Sequence, residues 1–175
     1  MISEKALEYI KLLIGEPLYG ICREADMGDI GFGMPITVKN HRGVERIKSS
    51  FALHLQCPFR IVSKDKIIFT AYDIYLDYSG EWMPEMSWDV LGKNLYDKRT
   101  KEWFESNPSL KVENVEMSMQ GDLKVIFNNG DKLEVFVNHS TDDECWRFFE
   151  MCSYEDYKSG IAHEHLVISG LGDNF

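Results

Sequence analysis

The period of apolar positions changes several times along the chain. After Ser3, apolar residues fall at Ala6, Leu7, Ile10, Leu13 and Ile14, the spacing of one helix face. Ser3 is placed to cap that helix, and Gly15 followed by Pro17 to end it. The stripe is narrow, which suits a helix lying on a sheet. The glycine-rich stretch from Gly15 to Gly33 offers two short strands, at Leu18–Cys22 and Ile30–Gly33, and Asn40-His41-Arg42-Gly43 reads as a turn. Strand character rises from Ile47 to Cys57 and stops at Pro58, which cannot donate to a ladder. Phe59–Val62 and Lys66–Thr70 then read as a hairpin around Ser63-Lys64-Asp65.

Residues 77–98 have no clear period and carry two tryptophans, Trp82 and Trp88, as a long excursion. Thr100–Asn107 predicts a short helix ended before Pro108. Next comes the clearest alternation. Val115, Met117 and Met119 are followed by Leu123, Val125 and Phe127, and then by Leu133, Val135 and Val137. Gln120-Gly121-Asp122 turns the chain once. Asn129-Gly130 turns it again and predicts a type I′ turn, so the segment reads as a three-stranded antiparallel meander. Ser140–Glu144 resembles a capping box, but the aromatic run Cys145–Cys152 suits a strand better. His165–Ile168 predicts a last short strand, followed by a flexible tail at Gly170-Leu171-Gly172. The fold class is α+β: a single domain over residues 1–175, dominated by antiparallel strands, with an N-terminal helix and one short additional helix.

Composition narrows the partners. The 29 acidic and 19 basic side chains leave a net charge of −10, which repels phosphate backbones and favours encounter with a cationic protein. Nucleic acid is therefore not expected as a partner. The same charge also serves solubility alone. No apolar run is long enough for a membrane span, and the first residues lack a secretory leader, so a cytoplasmic location is expected. Cys22, Cys57, Cys145 and Cys152 show no C-x-x-C spacing and read as buried small apolar residues.

His54 and Gln56 share one strand face with Ala52, while Phe51, Leu53, Leu55 and Cys57 share the other. If the second face is core, His54 and Gln56 look out to solvent or a groove. Asp73 could then complete a small-ligand or catalytic pocket with them, although a cross-strand hydrogen bond needs fewer partners. Cys57 projects away from His54, which argues against a dyad. His163 and His165 would face the same way on a strand, with His139 as a third ligand, but the spacing is not that of a known metal motif, and no metal or other cofactor is expected. The glycines of Met27–Gly33 do not match a dinucleotide-binding pattern. Aromatic and acidic residues mix in one region: Asp73, Tyr75, Asp77, Tyr78, Glu81, Trp82, Glu85 and Trp88. Such a mixture describes either a protein-binding surface or core aromatics flanked by solvated carboxylates. Trp103 and Trp146 are expected in the core.

The segment Leu53-His54-Leu55-Gln56-Cys57-Pro58-Phe59-Arg60-Ile61 resembles a pattern in uncharacterised small bacterial proteins. Asp73, the element Trp146-Arg147-Phe148-Phe149 and the step Val167-Ile168-Ser169-Gly170 extend the likeness. That family implies no activity and no site residues. In profile the chain also resembles immunity proteins of bacterial toxin systems, which are small, acidic and without catalytic machinery. That resemblance implies a non-enzymatic protein that neutralises a basic toxin domain. A small enzyme or ligand-binding domain, and a homo-oligomeric subunit, remain the alternatives.

Overall fold

Alternating burial organises the chain into two antiparallel sheets in the computed structural model, which describes residues 1–39, 43–84, 87–161 and 163–175. Strands β1 (Leu18–Glu24), β2 (Met27–Lys39) and β3 (Glu45–Leu55) open the first sheet, and β4 (Phe59–Ser63) with β5 (Lys66–Thr70) opens the second. The second sheet is completed by β6 (Val112–Met117), β7 (Leu123–Phe127) and β8 (Lys132–Val135). The first is completed by β9 (Glu144–Glu150), β10 (His165–Ser169) and β11 (Gly172–Asn174). The strand orders are β1-β2-β3-β9-β10-β11 and β5-β4-β8-β7-β6. Pro58 stands where the chain leaves one sheet for the other, and its carbonyl accepts the Phe136 N–H at 2.9 Å. A residue without an N–H ends one ladder there at no cost in unpaired donors.

The two inner faces meet in one core. Leu53 and Leu55 of β3 and Trp146 and Phe148 of β9 are buried with Phe59 and Ile61 of β4 and with Val125 and Phe127 of β7. Alternate positions along each strand contribute, as the period of two requires. The layers approach closely: a Cβ on Gly28 would lie 2.7 Å from the Phe59 ring. The Trp146 indole N–H donates to the Gly121 carbonyl at 2.8 Å, so a turn of the second sheet satisfies the one polar group of a fully buried side chain.

The N-terminal helix is shorter than its stripe predicts. Ser3 caps α1 (Glu4–Tyr9), its hydroxyl accepting the Ala6 N–H at 3.1 Å, and from Ile10 to Leu13 the chain tightens into a 3₁₀ turn. Helix α2 (Leu95–Ser106) begins more than a turn ahead of the predicted Thr100. Buried Asn94 caps it, accepting the Asp97 N–H at 2.8 Å and donating to the Trp88 carbonyl at 2.9 Å. Residues 144–150 are a strand, as their aromatics indicate. A short helix, α3 (Tyr154–Lys158), follows it.

Three expectations are corrected. The tail after Ser169 is not loose but forms β11 against β10. There Asp173 accepts both the N–H and the hydroxyl of Ser3 at 2.7 Å, and Phe175 packs on Tyr9 with ring centroids 4.7 Å apart. The Asn129-Gly130 turn places only Gly130 at positive φ, +86°, and closes on the Phe127 carbonyl at 2.8 Å. That is the hairpin loop of a turn followed by a left-handed glycine rather than type I′. Strand β2 also runs well beyond Gly33, bulging between Phe32 and Pro35 before continuing beside β3. The turn expected at Asn40–Gly43 falls largely outside the described residues. Among the described residues, no helix is long and apolar enough to cross a membrane.

Candidate functional site

Beyond β5 the chain makes a 3₁₀ turn, Ala71–Tyr75, closed by a capping box in which Thr70 and Asp73 exchange hydrogen bonds. Leu76 then bridges Trp82 across a tight loop. Asp77 organises that loop, its Oδ1 accepting the Ser79 N–H at 2.8 Å, the Ser79 hydroxyl at 2.6 Å and the Glu81 N–H at 3.0 Å. These bonds, that of the Ser79 side chain foremost, hold the Asp77 carboxyl below its ordinary pKa. The result is an outward aromatic cluster. Tyr75 stacks on Trp82 at 5.7 Å, meets Trp88 at 5.3 Å and Tyr72 at 5.9 Å, and Tyr72 also meets Trp82 at 5.9 Å. Tyr72 and Trp82 remain 59% and 61% exposed. Tyr78, Val90 and Leu91 are exposed on the same excursion.

A buried cation pins the base of this surface. Arg23 of β1 donates from Nε and Nη2 to the two Asp97 oxygens at 2.8 and 3.0 Å. Its Nη1 reaches the Ala25 carbonyl at 2.7 Å and its Nη2 the Trp88 carbonyl at 3.1 Å. Asp97 also accepts the Gly92 N–H at 2.7 Å. The loop holding Trp88 and Leu91 is thus tied to both a strand and a helix. Sequence reasoning missed Arg23 and Asp97, which are 74 residues apart with no local signal joining them.

The predicted residues divide. Trp82, Tyr78 and Glu81 are exposed, while Tyr75 and Trp88 are half-buried against the core with one face of the cluster open. Asp73 is 7% exposed, bonded to the Thr70 N–H and 3.4 Å from Arg99, so it supports the loop rather than presenting charge. Asp77 spends its carboxylate on its own loop. Glu85 lies outside the described residues. Asp26, absent from the expected set, accepts a hydrogen bond from the Tyr75 hydroxyl at 3.4 Å and adds a carboxylate beside the rings.

The pocket expected of His54, Gln56 and Asp73 does not assemble. A trough of about 350 Å³ does lie on the outer face of the first sheet, and His54 lines it. Its floor is small because Gly31 and Ala52 are neighbours in register, with Gly20 beside Gly31 and Phe149 beside Ala52. Gln56 instead bonds Glu144 at 3.1 Å, and Asp73 is not in the trough wall. In the adjacent row Cys22, Asp29 and His54 pair across β1, β2 and β3. Asp29 lies between the other two, 3.5 Å from the His54 Nε2 and 3.5 Å from the Cys22 sulfur. Desolvation, with the Asp29 charge, pushes the Cys22 thiol up to about 11. This row therefore holds a protonated thiol and no thiolate nucleophile.

The histidines also separate. His165 stacks on Phe149 at 4.5 Å, whereas His163 turns to Glu150 at 3.0 Å. His139 faces Cys145, Nε2 to sulfur 3.2 Å, and is no partner of His163. Cys145 is fully buried and desolvation raises its pKa, which keeps that thiol protonated as well. Trp103 and Trp146 are core side chains.

Fold and surface together define a mainly antiparallel α+β protein with an exposed, internally braced aromatic loop. The sequence matches no protein-family model, and comparison with curated proteins and with solved structures gave no match.

Proposed function

We propose that the protein is a non-enzymatic binding protein that engages a basic protein partner through the aromatic loop, most specifically as an immunity-type protein neutralising a basic toxin domain. The observation that carries this reading is the cluster of Tyr72, Tyr75, Trp82 and Trp88, rings in mutual contact yet with Tyr72 and Trp82 more than half exposed. Large rings left in water on a braced loop cost solvation that a partner recovers, and Trp and Tyr dominate interface hot spots. The net charge of −10 supplies steering toward a cationic surface. Asp26, Glu81 and Asp89 place carboxylates along the same region.

The test is pull-down of a basic protein by the tagged chain, the product of any adjacent gene included, followed by titration of the purified pair. Trp82→Ala is expected to weaken binding by about 2 kcal/mol or more, roughly thirtyfold. Unchanged affinity in Trp82→Ala and Tyr72→Ala would remove the loop from the interface. Light scattering of the protein alone tests the competing occupant, a second copy of the chain: a dimer that Trp82→Ala dissociates would replace this reading with self-association. The trough beside His54 sustains a second reading, a small-ligand domain, because an open concavity of about 350 Å³ on a sheet face is of ligand size.

A further inference from the structure

Between the end of β9 and the start of β10 the chain makes a detour that gathers unlike donors. Ser153 caps α3: its hydroxyl accepts the Asp156 N–H at 3.1 Å and donates to Asp156 Oδ2 at 2.6 Å. This fixes the Asp156 carboxylate in the first turn and, as the leading cause, holds its pKa below the ordinary value. Cys152 precedes the cap, its thiol making long contacts to the Ser153 and Ile161 carbonyls, 3.5 and 3.6 Å. His163 returns from the other side. The Cys152 sulfur, an Asp156 carboxylate oxygen and a His163 ring nitrogen all lie within 4.8 Å of one another.

The orientation of His163 is the decisive detail. Its Nδ1 sits 3.0 Å from Glu150 Oε2. An ionised carboxylate only accepts, so the proton of a neutral ring belongs on Nδ1 and Nε2 presents a lone pair. That Nε2 is shielded from solvent and has no hydrogen-bond partner among the described residues, and 3.6 Å away is Asp156 Oδ2, another acceptor. A shielded ring lone pair facing a carboxylate oxygen that is itself held in place by Ser153 favours a positive centre between the two. A carboxylate orienting the far nitrogen of a histidine is the usual outer support of a metal-binding imidazole.

We propose that Cys152, Asp156 and His163 bind one divalent transition-metal ion of the zinc class, with Glu150 as the positioning residue behind His163. Sulfur and imidazole donors select zinc-like ions over magnesium or calcium. Three protein ligands leave a fourth position for water or a ligand. Binding releases the Cys152 thiol proton to solvent, and the thiolate, the neutral imidazole and the carboxylate take up the ion. The pairing of His163 with His165 that the sequence offered, and that was not expected to hold a metal, gives way to one the detour alone creates.

Cobalt(II) added to the purified, metal-stripped full chain tests this, because thiolate ligation gives a charge-transfer band that zinc then displaces. One equivalent is expected to bind with that band. Cys152→Ser should abolish it, and Asp156→Asn and His163→Ala should each weaken binding more than tenfold. Glu150→Gln should keep the band but lower affinity about 10- to 100-fold, as loss of an outer support does. Circular dichroism of each variant checks the fold. Absence of the band in the unaltered protein overturns the site, as does a band that survives Cys152→Ser. An unaltered protein that binds no cobalt while His163 titrates as a doubly protonated ring would assign the positive centre to a proton instead.

Discussion

Arg23 shows how one residue can hold a surface it does not belong to. Its side chain is 1% exposed and its guanidinium is spent on Asp97, on the Ala25 carbonyl of the β1–β2 turn and on the Trp88 carbonyl of the aromatic loop. A buried charge stripped of its partner is costly, so Asp97→Asn is expected to destabilise the fold by about 3–5 kcal/mol, read from the urea midpoint at constant slope. Two titrations belong to this scale. Desolvation first, and the Arg147 charge second, lower the His165 pKa below 6.5. The folded state thus favours the neutral ring. The stability it lends is complete above pH 6.5 and is lost as pH falls through the folded value. His165→Gln should therefore shrink the drop in unfolding midpoint between neutral pH and pH 5. Cys22, with its thiol pushed up to about 11, should react with iodoacetamide at pH 8 roughly tenfold more slowly than an ordinary thiol, the loss of thiolate being partly offset by its greater nucleophilicity. Reaction at the ordinary rate would contradict the desolvation of this thiol beside the Asp29 charge. None of these three behaviours could be read from the chain. Each depends on a neighbour supplied by another strand or helix.

At the scale of elements, legibility followed locality. The meander of β6, β7 and β8 stands where Val115, Val125 and Leu133 alternate with polar residues, because each strand shows one face to a core and pairs with its sequence neighbour. The hairpin of β4 and β5 was legible for the same reason, with Lys64 at φ +56° taking the turn between its strands. Helix α2 was only half legible. Its start is set by Asn94, whose cap is worth having because the same amide reaches back to the Trp88 carbonyl. Asn94→Ala should cost about 1–2 kcal/mol and also weaken partner binding by loosening the loop around Trp88. A variant that loses stability but keeps full affinity would separate the cap from the surface. Strand β11 was illegible, since a three-residue segment becomes a strand only when β10 and the Ser3 cap are already beside it.

For the whole molecule, acidity and aromaticity act together. In the proposed complex, surface carboxylates would govern the rate of encounter and the rings the residence. Glu81→Lys combined with Asp26→Lys should slow association with a basic partner in a salt-dependent way, measured by stopped-flow, and leave dissociation nearly unchanged. Asp73, first read as part of that field, should not be used in such a test, because it is buried under the capping box. The sequence by itself determined the antiparallel α+β class, the N-terminal cap at Ser3, the break at Pro58 and the outward projection of His54. All four follow from side-chain period or from backbone chemistry within a few residues. Only the tertiary structure decided that Asp29 separates Cys22 from His54, that Arg23 underpins the aromatic loop, and that the His163 ring stands near Cys152 and Asp156. These pairings are set by strand order and by a chain detour, and a linear pattern carries no term for either.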